Sequence, residues 1–325
     1  MQSRHAQLIA SSHAFAELKR DCKENVLKHA YIFESSDFAA LETLSAMFIS
    51  CAEYGEVSEF VLKRVFDGGY IDIVRVPSAE KNGKMDVEDA AYITDTAYFT
   101  PTELKTKYYI IAAENGMSAP VQNKLLKTLE EPPSSARFII FTAGGDLLPT
   151  VSSRCSSVRL EEFSVEDIER ELINGGTDEL TALFSAAVAR GNIGYAEKIA
   201  SDSGYRRAYE SAMNFLLNVK RSPQILPAAG SIIAEKEKFG AFVDYLELIF
   251  RDIMVYRECG ASAIVLKPAA GDILTLSREY DTRTCLALMP LLTRARDRMR
   301  LYGNAASCAD ELLFSILEVK SKCLK

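Results

Sequence analysis

The sequence predicts an α/β domain on a mainly parallel sheet, then a small helical module, then a larger all-helical domain. Three observations lead there. Apolar strand-like runs alternate with amphipathic helical stretches between residues 29 and 160. The β signal fades after about Phe163. From about Tyr205 onward the apolar residues recur at the helical period. A chain of 325 residues also suits two or three domains. The expected boundaries are 1–162 for the α/β domain, 163–204 for the helical module and 205–325 for the helical domain.

The elements follow in order. His29–Phe33 is a short apolar run, followed by a helix over Ala39–Ala52. Ile71–Val76 is β-branched and alternating. Met85–Phe99 has helical spacing, with Asp86 placed to cap it. Lys107–Ala113 and Ala136–Thr142 are continuous apolar runs, as expected of strands covered on both faces. Between them Ser118–Glu131 carries Val121, Leu125 and Leu129 on one stripe, and Pro132-Pro133 ends that helix. Ser157–Leu160 is a last short strand. Strands separated by helices imply right-handed crossovers between parallel neighbours. Val165–Ile173, Thr177–Ala189 and Tyr195–Ser201 read as short helices divided by glycine-containing turns. Further on, Phe242, Leu246, Ile249 and Ile253 form one apolar stripe, and Ala309, Leu312, Leu313, Ile316 and Leu317 form another. Ala261–Gly271, which contains Pro268, reads as a loop.

Composition excludes several functions. The formal net charge is −7, the wrong sign for a chain that binds DNA by electrostatics alone. The start lacks the apolar core of a signal peptide, and no run is long enough to span a membrane. Seven scattered cysteines form no CxxC pair, which points to reduced thiols and a cytoplasmic location. The three histidines, His5, His13 and His29, form no metal motif.

The most informative stretch is QNKLLKTLEEPP (122–133), then the strand RFIIFT, then LLPTVSSRC (147–155). Physically it is a helix closed by two prolines, a buried strand, a helical turn and an arginine delivered before a strand. From Lys107 to Cys155 the order and spacing of these motifs resemble the clamp-loader branch of the AAA+ proteins. The resemblance implies an AAA+-like N-terminal domain, a lid-like helical module and a helical collar that closes a ring of subunits. For the collar it rests on LELIFRDIMVYR (246–257) and RLYGNAASCADELLFSIL (300–317).

Against that family the nucleotide machinery is altered. The phosphate loop of an ATPase reads GxxGxGK followed by Ser or Thr, because glycine lets backbone N–H groups surround phosphate and lysine adds charge. The matching positions here are Ser35, Phe38, Ala40, Leu41 and Glu42. Leu41 replaces the lysine, and Glu42 replaces the Mg²⁺-binding hydroxyl. Where active relatives carry adjacent carboxylates after the third strand, this chain has Ala112 and Ala113. Glu114 follows one place later and by strand alternation is expected to point elsewhere. Gly194 stands where active relatives carry a phosphate-sensing arginine. No nucleotide, cofactor or metal is therefore expected in this chain.

Arg154 of the Ser153-Arg154-Cys155 triplet remains. A guanidinium can neutralise charge on a phosphoryl group held by a neighbouring subunit. The resemblance implies that Arg154 acts in trans, that Ser153 fixes the turn and that Cys155 is a small buried packing residue. ATP and Mg²⁺ would be held by the neighbouring ATPase subunit. The further partners implied are the delta subunit of the loader, with the sliding clamp and primed DNA reached through the complex. Three other readings stay open: an ATP-hydrolysing subunit of the same machine, an AAA+-derived adaptor outside replication, and a cysteine enzyme using Cys155 with His29. The four-cysteine zinc module of many relatives is missing, and Val57–Val65 reads as a plain helix in its place. Arg294, Arg296, Arg298 and Arg300 read as a solvated helix face, while Lys124 and Lys127 are candidate subunit or DNA contacts.

Overall fold

In the computed structural model the described residues are 5–81, 83–114, 116–145, 147–220, 223, 225, 236–302 and 304–323. They form two compact units. The first takes in the described residues up to Asp167 together with Gly191–Gly194; the second comprises Ile168–Arg190 and the described residues from Tyr195 onward. The segment 163–204 is thus divided between the two.

The first unit carries a five-stranded sheet in the order β2-β3-β4-β1-β5. Its strands are β1 (Ala30–Glu34), β2 (Ile73–Val76), β3 (Lys107–Ile111), β4 (Ala136–Thr142) and β5 (Ser156–Arg159). Every neighbouring pair is parallel. The mainly parallel sheet that the alternation of strands and helices implied is therefore present. The central strands β1, β3 and β4 are almost wholly buried, while the edge strands are only partly so. This is why the central three show as continuous apolar runs. Tyr109 stacks on Phe138 with centroids 5.4 Å apart, and Phe33 on Phe141 at 6.4 Å, which holds neighbouring strands in register.

The helices of this unit follow local signals. Helix α3 (Phe38–Tyr54) is buried around most of its circumference, so its apolar residues show no narrow stripe. Asp86 caps α5 (Val87–Thr96) through a reciprocal capping box with Asp89, as its position predicts. Helix α6 (Ala119–Glu130) starts with Pro120 in its first turn and buries Val121, Leu125 and Leu129. The expected helix Val57–Val65 is shifted to Glu59–Phe66, with Ser58 in the cap position. Asp72, just before β2, accepts hydrogen bonds from the amides of Thr102, Glu103 and Leu104, the shortest at 2.5 Å. It thereby folds the loop that leads into β3.

In the second unit the helix Lys236–Cys259 is central. Its stripe Phe242, Leu246, Ile249 and Ile253 is fully buried. Asp252, on the same helix, accepts hydrogen bonds from the amides of Val265 (3.1 Å) and Leu266 (2.7 Å). It organises the stretch expected to be a plain loop, which contains two short 3-10 turns, Ala261–Ala263 and Lys267–Ala269, and the start of a helix at Ala270. In the last helix, Ala305–Cys323, the side chains of Ala309, Leu312, Leu313 and Ile316 are buried. Leu317 is only half-buried. In the arginine run Arg294 is exposed, while Arg296 and Arg298 are half-buried. Arg296 pairs with Asp244 (2.7 Å) and Glu247, and Arg298 with Glu311. The side chain of Arg300 lies outside the described residues.

Candidate functional site

Parallel strands put all their C-terminal ends on one edge of the sheet. The loop matching the phosphate loop leaves β1 at that edge. The Ser35 amide donates to the Thr142 carbonyl at the end of β4 (3.0 Å). Ser35 Oγ accepts from the Asp37 amide (3.1 Å). Asp37 is the decisive residue of this loop. One carboxylate oxygen accepts from the Ala40 amide and caps α3; the other accepts from the Gly194 amide, each at 3.0 Å. Asp37 is only 4% exposed. Gly194 lies in the first turn of α10 (Ile193–Ser201). The carboxylate therefore sits on amides from the first turns of two helices, where an anion is favoured. Asn192 Nδ2 adds a hydrogen bond to the Ser36 carbonyl (3.3 Å).

This arrangement explains the glycine at 194. A Cβ there would lie 2.7 Å from Ala39 Cβ and 2.8 Å from Asp37 Oδ1, so any side chain forces the two segments apart. Ala40 and Leu41 are fully buried, and Phe38 packs edge-on to Phe141 at 5.9 Å. Glu42 is half-buried. Ala112 donates its amide to the Val76 carbonyl (2.8 Å), and Ala113 is buried. The expectation for Glu114 rested on strand alternation. Strand β3 ends at Ile111, so alternation does not reach position 114. Glu114 instead lies in an exposed turn and lines a small pocket with Phe38, Ala113, Phe141 and Thr142. That pocket encloses about 10 Å³, close to the space of one water.

Arg154 is positioned from the other end of the sheet. Buried Gln122 of α6 donates to the Met117 carbonyl (2.8 Å) and accepts from the Leu148 amide (2.7 Å). It ties the start of the helical turn α7 (Pro149–Ser152) to α6. The chain then reaches β5, whose Ser156 pairs with Tyr31 near the start of β1, while Arg159 pairs with Glu34 at its end. Arg154 therefore lies at the N-terminal edge of the sheet, opposite the 35–42 loop. The strand length between them exceeds about 10 Å. Arg154 Nη1 donates to the Thr150 carbonyl (2.6 Å) and to Ser153 Oγ (3.4 Å), and Nη2 donates to Glu130. Its side chain is 32% exposed. Ser153 Oγ in turn donates to the Thr150 carbonyl (3.3 Å) within the same turn.

Cys155 is half-buried rather than buried and packs against the core below the sheet. Burial pushes its thiol up to about 11, so it is protonated at neutral pH and poorly nucleophilic. Among the described residues it forms no hydrogen bond with His29. Lys124 and Lys127 are exposed on α6. Among the described residues no group of side chains is placed to hold a metal ion, and no helix is long and apolar enough to cross a membrane.

Residues 10–164 match the family described as DNA polymerase III, delta subunit. Over those residues, just under half of the chain, the sequence is similar to a DNA polymerase III subunit. It is 27% identical over 184 residues to DNA polymerase III subunit tau/gamma of Haemophilus influenzae, covering 54% of this chain and 26% of that protein. It is 23% identical over 332 residues to DNA polymerase III subunit tau of Bacillus subtilis, covering 91% of this chain and 58% of that one. The chain thus spans less than two thirds of the length of these relatives. Among solved structures, a DNA polymerase III gamma subunit-related protein from Thermotoga maritima aligns over 94% of this chain and 99% of its own, at 16% identity and a TM-score of 0.44.

Asp37 is the residue that sequence reading missed. The signal was present: an aspartate directly before an apolar helical run is a capping residue. Its second partner, 157 positions away, has no sequence signature.

Proposed function

We propose that this chain is a non-hydrolysing, delta-prime-like subunit of the DNA polymerase III clamp loader. It supplies Arg154 in trans to ATP held with Mg²⁺ by a neighbouring ATPase subunit. The assembly, with its delta subunit, uses that ATP to load the sliding clamp on primed DNA. The observation that carries the reading is the placement of Arg154. It is partly exposed at the edge of the sheet opposite the chain's own 35–42 loop, which supports an action on a site other than its own. The 35–42 loop supports the same reading. Asp37 occupies the amides of the α3 and α10 first turns, and Leu41 is buried where a phosphate-binding lysine would stand. A second carboxylate, Glu42, adds repulsion toward a triphosphate. The net charge of −7 implies that DNA is met through the complex.

The test is the ATPase rate of the reconstituted loader with clamp and primed DNA, using wild type and Arg154→Ala, beside the isolated subunit. The expected result is an inert isolated subunit and a loss of at least about 10-fold in the complex. An unchanged rate makes Arg154 structural and favours an adaptor role. The tau and gamma names of the relatives, with Glu114 at the small pocket, favour one second reading, a subunit that hydrolyses ATP itself. Saturable ATP binding and turnover by the isolated chain would establish that reading instead.

A further inference from the structure

We propose that Glu130 is the positioning residue for Arg154, an inference that rests on the trans-arginine reading above. Glu130 is the last residue of α6, in the LEEPP stretch, and α6 leads into the N-terminal end of β4. Arg154 leads into the N-terminal end of β5. The sheet thus brings both residues to one edge, although they are 24 positions apart in the chain.

The guanidinium has five N–H donors in a rigid fork. The Thr150 carbonyl and Ser153 Oγ hold Nη1 from within the Arg154 turn itself. These bonds fix the base of the side chain relative to its own backbone. Glu130 is the acceptor that comes from a different element, and it engages Nη2. It therefore sets the angle at which the fork leaves the sheet edge. Nε has no acceptor among the described residues, so a donor remains for a phosphoryl oxygen. With the side chains of Arg154 and Glu130 32% and 47% exposed, the ion pair contributes little to stability. Its consequence is orientation. A long, flexible arginine without this contact spends most of its time in rotamers that miss the phosphate, and the rate of a step that depends on placement falls accordingly.

The test uses the reconstituted loader with clamp and primed DNA, measuring kcat and KM for ATP. The variants are Arg154→Ala, Glu130→Ala, Glu130→Gln and the double variant Glu130→Ala/Arg154→Ala. The expected loss for Glu130→Ala is on the order of 10-fold in kcat, with KM for ATP unchanged within about 2-fold. Glu130→Gln keeps the accepting oxygen and is expected to retain most of the wild-type rate. The double variant is expected to match Arg154→Ala alone, because Glu130 acts only through that arginine. A wild-type rate for Glu130→Ala overturns the assignment. So does a Gln variant as slow as the Ala variant. A double variant slower than Arg154→Ala by the full Glu130→Ala factor overturns it too, since the two residues would then act independently. If Arg154→Ala itself has no effect, the proposed function fails, and that result is distinct from each of these.

Discussion

The Asp37 contact offers the sharpest test of how the 35–42 loop is built. Asp37 does two jobs: one oxygen caps α3 at Ala40, and the other holds Gly194. Asp37→Ser separates them. Serine is as good an N-cap as aspartate but is too short to reach the second amide. The Ser variant loses one buried hydrogen bond and orphans the Gly194 donor, which costs about 1–3 kcal/mol. Asp37→Ala also loses the cap, adding about 1 kcal/mol. The assay is amide hydrogen exchange on the isolated chain, read at Gly194 and Ala40. Each 1.4 kcal/mol is about tenfold in protection. The Ser variant should therefore lower protection at Gly194 by about 10-fold while Ala40 keeps its own. The Ala variant should lower both. Unchanged protection at Gly194 in both variants would refute the two-helix role of Asp37.

Two further predictions concern other buried groups. Burial alone would raise the Asp72 carboxyl, but the amides of Leu104, Glu103 and Thr102 outweigh it and hold it below its ordinary value of 3.8. Its contribution is therefore full above that value and fades as the pH falls through the depressed one. Asp72→Asn should destabilise the chain by about 2–3 kcal/mol at neutral pH, a gap that narrows as the pH falls below 3.8, measured by thermal unfolding across pH. Cys155, pushed up to about 11 by burial, should be alkylated far more slowly than exposed Cys259 at pH 8. Peptide mass mapping after brief iodoacetamide treatment reads this directly, and equal labelling would revive the cysteine-enzyme reading.

How much of this was legible beforehand depended on the range of the interaction. The central strands, the α6 stripe and the Asp86 cap were readable because each is decided by neighbours within a few residues. The ion pairs of the arginine run were not legible, because Arg296 is paired with Asp244 and Glu247, which lie on a helix well before it in the chain. The place of Glu114 was not legible from alternation, because β3 ends at Ile111.

By itself, the sequence determined the alternation that makes a parallel sheet, the replacement of phosphate-loop residues by Leu41 and Glu42, and the survival of Arg154. These are matters of residue type and local period. Only the tertiary structure decided what occupies the altered loop and where Arg154 stands. Asp37 finds Gly194 beyond one edge of the sheet and Arg154 finds Glu130 at the opposite edge, because parallel strands bring distant segments together there. Hydrogen bonds between such loops leave no periodic trace in the chain.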